Sequence, residues 1–179
     1  MSASSFESDR ATPGKYLTFA LNGETLGVPL LLVREIIAMH PITSLPRLPK
    51  HVKGVINLRG RIIPIIDLRL RLGMEEASYD AHTCIIVIDA DWLPDEEHAP
   101  VGCIVDTVDE VFHVTRELLE PPPQLGVGDE GQVAMGMAKH PQRKAVITLL
   151  DMSRVLDRLD RNIGEIQSVD AAPATAATP

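Results

Sequence analysis

Aromatic residues are nearly missing from this sequence, with one Trp, two Tyr and three Phe among 179 residues. A core without large rings must be aliphatic. At 45% hydrophobic content, its apolar runs are dominated by Val, Ile and Leu, which leans towards strands. Cysteine is scarce as well, which excludes a disulfide-framework fold. Cys84 and Cys103 lie in the strand-like runs CIIVI and VGCIVD, where each reads as a small buried hydrophobe or as half of a single disulfide; in a reducing compartment the first is expected. No stretch of 18 apolar residues is free of charge, so no ordinary membrane-spanning helix is predicted. The opening MSASSFESDRATPG lacks a basic head with an apolar run and any lipidation signal, so a soluble protein inside the cell is the expectation. A chain of this size buries about two-thirds of its unfolded surface, enough for one domain or two small intertwined ones.

Signatures of catalysis are also missing. His40, His51, His82, His98, His113 and His140 form no recognised metal or nucleophile motif. His98 beside Asp95, Glu96 and Glu97 has metal-ligand chemistry, but a solvated acidic loop has the same composition. No serine sits in a nucleophile elbow, and the glycines at 126, 128 and 131 do not lead into a phosphate-loop lysine. Asp67 and Asp151 would suit acid-base chemistry if a fold joined them, yet each precedes a similar short helix, where capping explains it more economically. A small hydrolase or transferase is therefore the weaker alternative, and no cofactor or metal is expected.

What the sequence does have is an uneven charge distribution. The formal charge is -8, but residues 34 to 71 hold eight Lys/Arg against two acids, while 75 to 130 hold fifteen acids and one Arg. That dipole suits oriented, salt-sensitive association with a protein partner; internal neutralisation between the parts is the other reading. Nucleic-acid binding is disfavoured, because the chain is acidic and the basic stretch carries no aromatic stacking series.

Short strands separated by Gly, Pro and Asn fill the centre of the chain. KYLTFAL and ETLGVP flank Asn22-Gly23, the strongest hairpin signal present. PLLLVREIIAM reads as helix or strand, with Pro29 in the first-turn position favouring a short helix. KGVINL and RIIPIID are strands joined through Asn57-Leu58-Arg59-Gly60, in which Asn57 and Gly60 set the turn. Asp67 caps LRLRLG, Thr115 caps the turn through RELL, and Asp151 caps MSRVLDRLDRN, whose buried side is marked by Leu150, Val155 and Leu159. HTCIIVID, VGCIVDTV, EVFHV, VAMGMAKHP and KAVITLL supply the remaining strands, and Leu125 to Gly131 reads as a mobile loop.

The chain also echoes itself. LGVPLLLVREI from Leu26 and VGCIVDTVDEV from Val101 share Gly, Val and Glu at their second, eighth and tenth positions. IIPIIDLRLRL and AVITLLDMSRVL each run an aliphatic strand into an aspartate-capped helix. The offsets are 75 and 84 residues, which suggests two related subdomains, or chance likeness among aliphatic strands.

The block KGVINLRGRIIPIIDLRLRLG at 53 to 73 carries a specific resemblance. With LGVPLLLVREI and ITSLPRLP before it, and VGCIVDTVDEV and VITLLDMSRVL after it, it resembles the CheW family, whose domain also ends the chemotaxis kinase CheA. The resemblance implies a mostly β fold of two SH3-like β-barrel subdomains with short helices. It spans 15–160 as two intertwined subdomains, between a disordered arm at 1–14 and a flexible tail at 161–179. It implies a non-enzymatic cytoplasmic adaptor, recruited indirectly to membrane arrays. Its partners would be the regulatory domain of the histidine kinase CheA and the signalling tips of methyl-accepting receptors, with no direct membrane insertion. A specialised receptor-kinase pathway other than flagellar chemotaxis is the close alternative.

By the same resemblance, Val33, Glu35 and Arg59 are expected on the kinase-binding surface, with Ile36 nearby, and Ile85, Gly102, Val108 and Val111 at the receptor groove. Physically, Arg59 offers a five-donor fork for a carboxylate or carbonyl cluster, or else fixes its own loop. The apolar positions serve equally well as β core, and Gly102 as a turn or bulge. The chain departs from the compact family pattern in its polar WLPDEEHAP segment and in AKHPQRKAV before the last strand.

Overall fold

A computed structural model describes residues 10–90, 99–123 and 132–156. Its strands are β1 (Gly14–Leu21), β2 (Glu24–Pro29), β3 (Val33–Ala38), β4 (Val52–Leu58), β5 (Arg61–Asp67), β6 (Cys84–Ala90), β7 (Ala99–Val105), β8 (Thr107–Val114), β9 (Leu119–Glu120), β10 (Ala134–Lys139) and β11 (Val146–Leu150). Two short helices, α1 (Leu68–Arg71) and α2 (Met152–Leu156), follow β5 and β11. The strands form two sheets, one in the order β8-β1-β2-β11-β10-β9 and one in the order β3-β6-β7-β5-β4.

The internal echo is realised as a duplicated strand arrangement. β2 pairs parallel with β11, setting Gly27 opposite Leu149, and β7 pairs parallel with β5, setting Gly102 opposite Ile65. The two glycines are 75 residues apart and the two aliphatic partners 84 apart, matching the sequence offsets. A side chain at either glycine would intrude on the neighbouring strand. A Cβ on Gly102 would stand 2.4 Å from Ile65 Cδ1 and 2.8 Å from Ile85 Cγ2, and one on Gly27 would stand 3.0 Å from Leu149 Cδ2. Each half also sends a strand across: the chain leaves β2 in the first sheet to enter β3 in the second, and leaves β7 in the second to enter β8 in the first. Thr43, bridged to Val55 of β4, stands at the place in the second sheet that β9 takes in the first.

Burial follows that exchange. One apolar cluster is shared between the sheets, with Leu17, Phe19 and Leu26 from the first and Ile66, Ile86 and Val101 from the second, closed by Leu68 of α1 and Val155 of α2. A local cluster of Ile56, Ile63, Ile65, Ile85, Val87 and Ile104 fills the second sheet, and another of Tyr16, Val114, Ala138, Ile147 and Leu149 fills the first. Each such Leu or Ile contributes about 1.5–3 kcal/mol relative to exposure. Both cysteines are free, and full burial pushes the Cys103 thiol up to about 12.

Turns and caps explain the local geometry. Asn22 and Gly23 (φ 50° and 79°) and Arg59 and Gly60 (φ 50° and 83°) are two-residue hairpin loops with both residues left-handed, the geometry that matches strand twist. Asp67 accepts from the N–H groups of Arg69 (2.9 Å) and Leu70 (3.4 Å), capping α1, and Asp151 accepts from Arg154 N–H (3.2 Å) at α2. Of the helix and strand readings left open after Pro29, the chain takes a single 3-10 turn at Leu30–Leu32 and then runs as β3. From Val33 the burial alternates with period two, so cross-strand pairing with β6 outweighs the helical start signal. Thr115 stands at the cap position of a 3-10 turn at Arg116–Leu118, but its side chain makes no cap hydrogen bond.

Residues 1–9 of the expected arm, the loop at 125–131, most of the polar segment at 92–100, the helix positions after Leu156 and the tail at 161–179 lie outside the described residues. Just before β1, Ala11 N–H donates to Met135 O at 2.9 Å, and Thr12 O accepts from Tyr16 OH at 2.7 Å. The sheets are tied at their crossing by one ionic knot. Arg69 of α1 donates through Nε (2.7 Å) and Nη2 to Asp106, between β7 and β8, and Asp106 accepts the N–H of Asn22 in the β1–β2 turn at 2.8 Å.

Candidate partner-binding surfaces

The β4–β5 turn is built to hold an arginine outward. Gly60 N–H donates to Asn57 Oδ1 at 2.8 Å, which fixes the loop and leaves Arg59 in the left-handed region. A non-glycine residue is strained there and persists where its surroundings over-determine it. The tether is Glu35 of β3: Arg59 Nη1 and Nη2 donate to its two carboxylate oxygens, each at 2.8 Å. Arg59 is 73% exposed and Glu35 21%, and the hydrogen bond to Glu35 raises the guanidinium's pKa further. Since β3 and β4 are opposite ends of the second sheet's strand order, the pair clasps one sheet edge to the other. Arg59, Glu35, Asn57 and Gly60 thus come together, with both guanidinium Nη atoms already engaged within the chain.

The other expected residues divide. Val33 is half-buried against the shared cluster, while Ile36, further along β3, is half-exposed. Val108 packs partly against the same cluster, and Val111 on β8 is 50% exposed. Ile85 is 0% exposed within the second sheet's own cluster, and Gly102 beside it is also buried, so these two are interior positions beneath a surface and not part of it. The signal was present in CIIVI: a continuous apolar run marks a central strand buried on both faces.

Several residues were not foreseen. Leu31, in the 3-10 turn between the sheets, is 99% exposed. Tyr79 OH donates to Asp67 Oδ2 at 3.0 Å, and burial, then the carboxylate's charge, raise its pKa. Lys53 pairs with Glu76 at 2.5 Å across a shallow depression of about 600 Å³, which Ile42, Ala77, Ser78 and Tyr79 also line. The clasp itself recurs in the first sheet. Glu110 of β8 meets Arg143 Nη2 (3.7 Å) and His140 Nε2 (3.3 Å) from the β10–β11 turn. These acids and arginines repeat at the offsets of 75 and 84, so the shared tenth-position glutamate of the echo was the available clue. Among the described residues, no three His, Cys, Asp or Glu side chains cluster to hold a metal ion, and no helix is long and apolar enough to cross a membrane.

This architecture has known counterparts. A family model described as the CheW-like domain matches residues 15–160, taking in both sheets and both clasps. The chain belongs to the CheW family. A chemotaxis protein CheW of Klebsiella aerogenes is 33% identical over 142 residues, 79% of this chain and 81% of that one. A probable chemotaxis protein CheW of Rhizobium etli is 33% identical over 144 residues, covering 80% and 88%. The crystal structure of the scaffolding protein TtCheW from Thermoanaerobacter tengcongensis superposes with a TM-score of 0.69 at 30% identity, covering 82% of this chain and 90% of that one. The mostly β CheW-like fold with two sheet subdomains is therefore shared over nearly the whole of that relative.

Proposed function

We propose that this CheW-family chain is a non-catalytic chemotaxis adaptor that bridges the regulatory domain of CheA and the cytoplasmic signalling tips of methyl-accepting receptors. The observation that carries the proposal is the family match across residues 15–160, which spans both sheets with each edge clasp in place. On this reading the protein works in the cytoplasm and reaches membrane arrays only through its receptors. Each sheet closes as an SH3-like barrel, a reading supported by the Glu35–Arg59 pair spanning the ends of its strand order.

The kinase side is the clasp. Glu35 holds Arg59 against the strained turn, and Val33 backs the strand that carries it. A guanidinium fixed at both Nη atoms presents a planar, pre-ordered face, so little side-chain entropy is lost on docking. The receptor side runs along β8, where Val108 and Val111 offer apolar contact while Ile85 and Gly102 shape the packing below. Receptor rearrangement alters kinase output when the adaptor binds the competing assembly states with different free energies.

The test is a titration of the purified chain against the CheA regulatory domain and a receptor-tip fragment, separately and together. A ternary complex is expected. Arg59→Ala should weaken kinase-domain binding by about tenfold, a loss of about 1.4 kcal/mol, with receptor binding and the folded circular dichroism spectrum unchanged. Equal loss of both partners, or no binding by a folded wild-type chain, would overturn the assignment.

A further inference from the structure

The β10–β11 turn contains a histidine whose surroundings dictate where its proton sits. The His140 side chain is 9% exposed, and its ring stacks on Phe112 with centroids 4.9 Å apart and planes 22° apart. Nδ1 lies 3.2 Å from the backbone N of Gln142 and 3.0 Å from that of Arg143. Backbone amides only donate, so Nδ1 must be an unprotonated acceptor. The ring proton is then on Nε2, which donates to Glu110 Oε1 at 3.3 Å. That carboxylate oxygen also faces Arg143 Nη2 at 3.7 Å.

The ring meets Glu110 of β8, whose carboxylate also meets Arg143 of the turn itself, while Lys139, the preceding residue on β10, pairs with Glu120 of β9. His140 N–H donates to Ala145 O at 3.1 Å, which closes the base of the turn. Among the described residues, the clasp at Arg59 has no imidazole, and its carboxylate is held by the guanidinium.

We propose that His140 is a proton-operated latch on the turn at 141–144. Taking a solvent proton at Nδ1 converts the acceptor into a donor, and the ring becomes an imidazolium. The amides of Gln142 and Arg143 then lose their acceptor, and the turn lifts away with Arg143. The charged ring keeps Glu110, so the β8 edge stays tied while the turn is released. Protonation of the ring thus acts on the second clasp through Nδ1, whereas the first pairs a carboxylate with a guanidinium and has no such acceptor in its turn.

The latch is tested on the full-length chain labelled with nitrogen-15, following the His140 ring nitrogens and the Gln142 and Arg143 amides between about pH 8 and pH 5. At the upper end Nε2 should carry the proton. As the ring titrates, the protection factors of both amides, corrected for intrinsic exchange, should fall by about tenfold. In His140→Asn a side-chain carbonyl takes the same two amides without titrating, and their protection should stay flat with pH. A proton on Nδ1 at the upper end, a ring that stays neutral throughout, unchanged amide protection while the ring titrates, or the same fall in His140→Asn would each overturn the proposal.

Discussion

At the turn between β4 and β5, Glu35 meets, among the described residues, Arg59; at the corresponding turn between β10 and β11, Glu110 is shared by Arg143 and His140. The interiors behind these turns are far more alike than the turns are. Both halves keep a glycine facing an aliphatic residue across a parallel strand pair, and both end that pair in an aspartate-capped helix. Close packing tolerates few solutions, so the buried parts remain similar. A surface turn has no such constraint, and there the halves differ: one presents a fixed cation, the other a titratable cluster.

The strongest way to break this comparison is to ask whether the halves stand alone. Phe19 lies in the cluster to which both sheets contribute, and Phe19→Ala should cost about 3–5 kcal/mol while urea unfolding stays a single transition. Two separated transitions by circular dichroism would mean that the sheets fold independently. The matched glycines sharpen the point. Gly102→Ala should lower stability by about 2–3 kcal/mol and Gly27→Ala by about 1 kcal/mol, because the tighter approach leaves the added methyl less room. Equal urea midpoints for the two variants would show that the second half relaxes as readily as the first.

The ionic knot between the halves should matter less. Among the described residues, Arg69→Ala leaves Asp106 with the Asn22 amide and should cost about 1 kcal/mol, read as a lower melting midpoint. An unchanged midpoint would show that apolar burial alone holds the sheets together.

The smallest expected effect concerns His51, immediately before β4. Burial first, and the Arg71 charge second, lower its pKa from the ordinary value, so the unfolded chain takes up its proton more readily. Its stabilising contribution is complete above the ordinary imidazole pKa of about 6.5 and is lost as the pH falls through the lower folded-state value. His51→Gln should flatten stability against pH on the acid side, and an identical acid slope in wild type and variant would remove His51 from the account.

Much of the fold was legible because its signals are local. Asn22-Gly23 carried its turn type, Asp67 and Asp151 stood as caps, and the aliphatic runs marked strands. The segment after Pro29 stayed open between helix and strand, because a helix-start signal acts over one turn, whereas the pairing of β3 with β6 is decided by residues about fifty positions away. Ile85 was placed at a groove by resemblance, while its own apolar run pointed to a central strand. Arg59 was marked for recognition, but its engagement with Glu35 depends on a contact that no local pattern encodes.

By itself the sequence determined most strand segments, the Asn22-Gly23 turn, the Asp67 and Asp151 caps and the aliphatic nature of the core, since backbone preference and side-chain periodicity act over a few residues; the repeat it left open against chance likeness. Only the tertiary structure decided which sheet each strand joined. β3 and β8 cross between the sheets, and that exchange is what carries Glu35 to Arg59 and Glu110 to His140 and Arg143. A strand's periodicity specifies which faces it can bury; its partner is chosen by the long-range packing that closes the core.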